Sequence, residues 1–129
     1  MIKLNKTHHI AIIVSDYLKS KDFYTSILGL EIIKETFRAD RQSYKLDLAL
    51  NGEYIIELFS FENPPKRLTR PEAAGLRHLA FEVDDVGFIV QKLHSKNVIA
   101  EKIRTDEVTG KQFTFIFDPD NLPIELYER

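Results

Sequence analysis

The sequence has no cysteine and no tryptophan, and it holds only five glycines and five prolines in 129 residues. Without cysteine there is no disulfide, no thiolate metal site and no cysteine nucleophile, so any bound metal must use nitrogen and oxygen donors. A formal charge of −2 and a pI near 6.1 leave no basic footprint for phosphates, which removes nucleic acid from the expected partners. No apolar run approaches the roughly 20 residues that cross a bilayer. Residues 1–6 (Met-Ile-Lys-Leu-Asn-Lys) lack the apolar core of a signal peptide, so a cytoplasmic protein with no membrane partner is expected. What remains is the composition of a folded chain, 43% hydrophobic and 29% charged, long enough for one domain or for two half-size modules sharing a core.

The order of patterns along the chain repeats. His9 to Val14 is rich in β-branched residues and reads as a buried strand. Asp16 is a helix N-cap for a segment with Leu18, Phe23, Tyr24, Ile27 and Leu28 on its apolar face, and Gly29 is its stop. Strands are predicted at 30–37 and 43–50, and Asn51-Gly52 then turns the chain into a partner strand at 53–61. Residues 62–75 hold three of the five prolines and read as a connecting loop. Leu76 to Val83 is again a strand and Asp85 again a cap, here for a helix with Val86, Ile89, Val90 and Leu93. Strands at 98–104, 112–117 and 122–127 follow, the last two joined by the turn Asp118-Pro119-Asp120-Asn121. The expected fold class is α+β, with two tandem βαβββ modules, about 5–61 and 76–129, in a single domain over 1–129.

Within this repeat, His9-Ile10-Ala11 answers to His78-Leu79-Ala80, and Glu57-Leu58-Phe59 answers to Glu125-Leu126-Tyr127. Alternation along a strand sets each of these four polar side chains opposite an aliphatic face. Two carboxylates inside a shared cavity repel unless a cation joins them. Two imidazoles and two carboxylates suit one divalent ion, whether Zn, Ni, Co, Fe or Mn. Alternation sends His8 to the other face, away from that ion. His94 reads as a solvated helix residue, and Asp106 with Glu107 as part of a turn. Arg38, Arg41, Arg67, Arg70 and Arg104 are the residues available to an anionic substrate. No phosphate-cradling loop, Gly-x-Ser-x-Gly elbow or His-Glu-x-x-His helix is present.

These signs resemble the vicinal oxygen chelate superfamily (glyoxalase, bleomycin resistance and dioxygenase proteins) over almost the whole chain. The signs are His9-Ile-Ala-Ile with Asp16, Phe23-Tyr24, Leu28-Gly29-Leu30, Glu57, His78-Leu-Ala-Phe, Asp118-Pro-Asp and Ile124-Glu125-Leu126. The resemblance implies paired βαβββ modules in a cupped mixed sheet around a metal held by His9, Glu57, His78 and Glu125. It also implies a lyase or isomerase acting on a small metabolite with neighbouring oxygens through an enediolate. Glu125 is then the base, with Glu57 able to substitute, and the chain forms a homodimer whose sites lie within one chain or are shared between two. The alternatives are a metal-dependent dioxygenase or transferase of the same superfamily, or a protein that binds a small ligand without turnover. One departure from glyoxalase I stands out. Ile13 occupies the place where bacterial enzymes typically carry an arginine for glutathione, so glutathione adducts are expected to be poor substrates.

Overall fold

Four of the five residues of strand β1 (Ile10–Val14) are β-branched, and they alternate as expected: Ile12 and Val14 are buried, Ala11 and Ile13 exposed. The computed structural model describes residues 1–129. They form two compact units, Met1–Pro65 and Lys66–Arg129.

In the first unit the Asp16 side chain accepts the Lys19 N–H at 3.1 Å and caps helix α1 (Tyr17–Asp22). The helix then widens into a π turn over Phe23–Ile27, where the Leu28 N–H reaches back five residues to the Phe23 carbonyl at 3.0 Å. The wider turn lets the adjacent Phe23 and Tyr24 both enter the core. Gly29, at φ +81°, ends it. Strands β2 (Glu31–Arg38), β3 (Ser43–Leu50) and β4 (Glu53–Ser60) follow. Between β3 and β4 both Asn51 and Gly52 have positive φ, as a two-residue hairpin turn needs. The sheet order is β1-β4-β3-β2, with β1 parallel to β4 and the other pairs antiparallel. Leu46, Leu48, Ile56 and Leu58 are fully buried on β3 and β4.

The second unit repeats the plan. Strand β5 (Leu79–Val83) leads to helix α2 (Val86–Ser95), whose cap Asp85 accepts the Phe88 N–H at 2.9 Å. Strands β6 (Arg104–Thr105), β7 (Gln112–Phe117) and β8 (Pro123–Glu128) complete a sheet ordered β5-β8-β7-β6. The turn before β8 is fastened by Asp118, 3% exposed, whose Oδ1 accepts the backbone N–H groups of Asp120 and Leu122 at 2.9 and 2.8 Å. Thus the chain is α+β, two βαβββ units each carrying a four-stranded mixed sheet. No helix is long and apolar enough to cross a membrane.

The strand expected at 98–104 shortens to Arg104–Thr105. After α2 the Val98 N–H turns back to the Leu93 carbonyl, and Asn97 takes a positive φ. Segment 98–103 therefore leaves the helix in a tight reversal, and the Glu101 N–H donates across to the Phe115 carbonyl at 2.9 Å without a ladder forming. β1 and β5 begin one and three residues later than expected, which leaves His9 and His78 just outside their strands.

Candidate functional site

The parallel pairing of first and last strand has the same register in both units. Ala11 lies across from Glu57, and Ala80 lies across from Glu125. A histidine two residues before each alanine therefore comes to the same place beside a glutamate. His9 Nε2 is 3.8 Å from Glu57 Oε2, and His78 Nε2 is 2.9 Å from Glu125 Oε2.

Around Glu57 the first unit assembles groups that the sequence pattern had not singled out. Asp47 on β3 is directly across from Glu57 on β4, and both carboxylates are nearly enclosed, with side chains 10% and 12% exposed. Two like charges at paired positions repel unless something lies between them. Here Lys45 Nζ sits 3.1 Å from Asp47 and 3.4 Å from Glu57. The Tyr54 hydroxyl is 2.8 Å from Asp47 Oδ1 and 2.7 Å from Glu57 Oε2. Burial, together with the two carboxylates that accept its proton, pushes the Tyr54 phenol far above its ordinary value. Burial works against the Lys45 ammonium, but Asp47 and Glu57 outweigh it and hold lysine above its usual value. The His9 ring packs on Tyr54 with centroids 5.1 Å apart.

His8 requires a correction. Alternation was expected to carry it to the opposite face, but β1 starts at Ile10, so residues 8 and 9 lie outside the pleat that enforces alternation. Both rings meet Tyr54, and His8 Nδ1 stands 2.8 Å from His9 Nδ1. One of these nitrogens must carry the proton of that hydrogen bond, which leaves His9 Nε2 facing Glu57.

In the second unit Glu125 has a different setting. Phe115, not an acid, lies across from it on β7, and its one ion-pair partner is His78. His78 meets Phe115 edge-on at 5.1 Å, and its Nδ1 is buried without a hydrogen-bond partner. Beside His78 opens a cavity of about 210 Å³, walled by Phe115, Phe117 and Pro123 and by arginines 67, 70, 77 and 104. Arg67 Nη2 donates to the carbonyls of Leu76 and Arg77 at 2.6 and 2.9 Å and so closes the loop ahead of β5.

The donors expected at a metal come together as two His–Glu pairs, one in each unit. No group of three or more His, Asp or Glu side chains suited to holding a metal ion is present. His94 is exposed on α2. Asp106 orders its turn by accepting from the Val108 and Thr109 N–H groups and from the Tyr127 hydroxyl, while the neighbouring Glu107 is exposed. Arg38 lies over the Phe59 ring and donates to Ser43, and Arg41 is exposed beside Asp40. Arg67, Arg70 and Arg104 share the cavity with His78.

Comparison with known proteins adds a family and a set of relatives. The sequence profile of the Glyoxalase/Bleomycin resistance protein/Dioxygenase superfamily matches residues 6–126. The chain is 64% identical over 126 residues to the uncharacterized protein YwkD of Bacillus subtilis, covering 98% of each. It is 30% identical over 130 residues to the lactoylglutathione lyase of Escherichia coli O157:H7, covering 93% of this chain and 90% of that one. The crystal structure of a glyoxalase family protein from Enterococcus faecalis superposes with a TM-score of 0.89 at 42% identity, covering 95% of this chain and 97% of the other.

Proposed function

From the premise that this chain belongs to the Glyoxalase/Bleomycin resistance protein/Dioxygenase superfamily, we propose that it is a divalent-metal-dependent lyase or isomerase acting on a small metabolite with neighbouring oxygens. The observation that carries this reading is the recurrence of one His–Glu pair at the same strand register in both units. His9 and Glu57, with His78 and Glu125 of the same chain or of a second copy, would hold the cation. The donor set fits: it is all nitrogen and carboxylate oxygen, and in each pair the imidazole Nε2 already faces a glutamate oxygen, at 3.8 Å for His9 and 2.9 Å for His78. Bound there, a divalent ion supplies Lewis-acid polarisation of the substrate's neighbouring oxygens.

The chain's own groups divide the remaining work. Glu57 is tied to Lys45 and Tyr54, and so serves as a fixed anionic anchor. Glu125, held by His78 alone against an aromatic wall, is free to take a carbon-bound proton and return it to the adjacent carbon. The cavity beside His78 is smaller than the roughly 300–1,000 Å³ that encloses drug-sized ligands, which suits a small metabolite better than a tripeptide adduct. Ile13, exposed on β1, offers no charge to a glutathione carboxylate.

Incubation of metal-loaded protein with candidate metabolites in heavy water tests the proposal. Deuterium should enter at the acidic carbon only when metal is present, and Glu125→Gln should slow that exchange about 10²–10⁴-fold. Oxygen consumption without exchange would assign the dioxygenase chemistry of the superfamily instead. Saturable binding with neither would assign a ligand-binding protein. Efficient turnover of a glutathione adduct would overturn the small-substrate reading.

A further inference from the structure

We propose that the cavity beside His78 is an oxyanion subsite, in which Arg67, Thr69 and Arg70 receive the carboxylate or phosphate of a small anionic substrate. This rests on the reading of His78 and Glu125 as the reactive end of the site, and it narrows the substrate to an anion. Four arginines line the cavity against two glutamates, and the pairing among them is uneven. Arg77 lies 3.4 Å from Glu72 and Arg104 lies 3.9 Å from Glu101, so each of these cations has a carboxylate. Arg67 and Arg70 have none.

Two of the five buried polar atoms left without partners are donors on residues of this cavity. Arg67 Nε and Thr69 Oγ1 are both buried and unbonded, and both residues line this one cavity. A buried donor without an acceptor costs free energy, and native structures that retain several together commonly reserve them for a ligand or water. Arg67 is unsuited to swinging away, because its Nη2 is fixed to two loop carbonyls. Its Nε–H is therefore already oriented. An oxyanion can accept from that N–H and from the Thr69 hydroxyl together, with Arg70 adding a second charge. Arg104 lies over the rings of Phe113 and Phe115, and Phe115, which lines the cavity, gives the ligand's carbon frame an apolar surface. The ligand that fits has an oxyanion at one end and its reacting oxygens at the His78 end. At about 210 Å³ the space equals on the order of seven water-sized volumes, room for an oxyanion and a short carbon frame.

The test uses the full-length protein stripped of metal with EDTA, at low ionic strength, titrated calorimetrically with glycerate, inorganic phosphate and uncharged glycerol. At least one anion should saturate and glycerol should not; the tighter anion identifies whether the group recognised is a carboxylate or a phosphate. Arg70→Gln should weaken that binding roughly 10- to 100-fold, as loss of a charge-assisted contact does. Thr69→Val keeps the shape but removes the unpartnered hydroxyl, and should weaken it as well without lowering the melting temperature. No saturable binding by either anion, equal binding of glycerol, or full affinity in both variants would overturn the subsite. Metal content measured on the same variants separates this from the metal reading. Arg70→Gln that keeps its metal but loses the anion supports the subsite, and intact anion binding in a protein that never takes up metal sinks only the metal proposal.

Discussion

Replacing Tyr54 with phenylalanine removes one oxygen from the centre of the Asp47–Glu57 pair, and the cost can be worked from its surroundings. The hydroxyl touches both carboxylates, at 2.8 and 2.7 Å, so the nearest carboxylate oxygens are no farther apart than those two distances laid end to end. At a separation of about 5 Å and an effective dielectric constant of ~20, two unit charges repel by about 3 kcal/mol. Lys45, within 3.4 Å of both, offsets part of this. Loss of a hydrogen bond to a charged group adds about 1.5–3 kcal/mol. Allowing for relaxation and water entry into the space, Tyr54→Phe should cost about 2 kcal/mol in metal-free protein, read from urea unfolding at neutral pH. The same substitution made on Asp47→Asn, where the repulsion is already gone, should cost only about 1 kcal/mol, so the double-mutant cycle should show clear coupling. A cost below about 0.5 kcal/mol, or strict additivity of the two changes, would refute the claim that the tyrosine holds two ionised acids together.

Other expectations follow from the same site and from its supports. His9→Ala and Glu57→Gln should each lower bound metal by elemental analysis, and full retention in both would sink the ligand assignment. His8→Ala should weaken metal binding by about tenfold, since its contact with His9 Nδ1 orients the imidazole; unchanged affinity would show that the contact does no such work. Glu35 accepts from Lys21 and from Tyr17, and these bonds hold its carboxylate below the ordinary value. A lowered carboxylate contributes stability above its unfolded value of about 4 and loses it as the pH falls through its native value, so Glu35→Gln should flatten the acid limb of a stability profile, and an unaltered limb would contradict this. A homodimer is expected by light scattering at micromolar concentration; if the site is shared between copies, mixing His9→Ala with His78→Ala chains should restore part of the metal-dependent exchange.

The parts of the fold legible in the sequence were those set by local chemistry. Asp16 and Asp85 cap helices, Asn51-Gly52 and Asp118-Pro119-Asp120-Asn121 make turns, and β-branched alternation places Ile12 and Val14 inside. That His9 answers to His78 and Glu57 to Glu125 was legible because the chain states the pattern twice; that each histidine meets the glutamate of its own unit came from the strand register. Strand 98–104 was misread because its apolar residues suit a strand, while the reversal after α2 is set by backbone bonds to Leu93 and His94 that no composition signals. His8 was misplaced for a related reason: alternation holds only where a ladder imposes it, and the ladder begins at Ile10. Tyr54, Lys45 and Asp47 escaped notice because nothing in the second unit repeats them. The signal was nonetheless present in Lys45 and Asp47, two charged residues in period-two alternation within an apolar strand.

That failure of repetition bears on mechanism. The position across the ladder from Glu57 is Asp47, and the position across from Glu125 is Phe115. Lys45 pairs across with Phe59, while its counterpart pairing with Tyr127 is Phe113. Three residues before the glutamate the first unit has Tyr54 and the second has Leu122. A duplicated frame thus presents two chemically identical donor pairs in opposite surroundings, one polar and cross-linked, the other aromatic. Two carboxylates of one type take separate roles when their environments differ in this way. A glutamate fixed by a lysine and a tyrosine resists the movement that proton transfer needs, whereas one facing phenylalanine with a single imidazole partner does not. The register that makes the pairs equivalent is set by the backbone, and the asymmetry between their surroundings is set by six side chains, four on the strands across the ladder (Lys45, Asp47, Phe113 and Phe115) and two ahead of the glutamates in the chain (Tyr54 and Leu122). Exchanging Phe115 for aspartate would extend the polar setting to the second unit, and should slow Glu125-dependent exchange while leaving the His78–Glu125 pair in place.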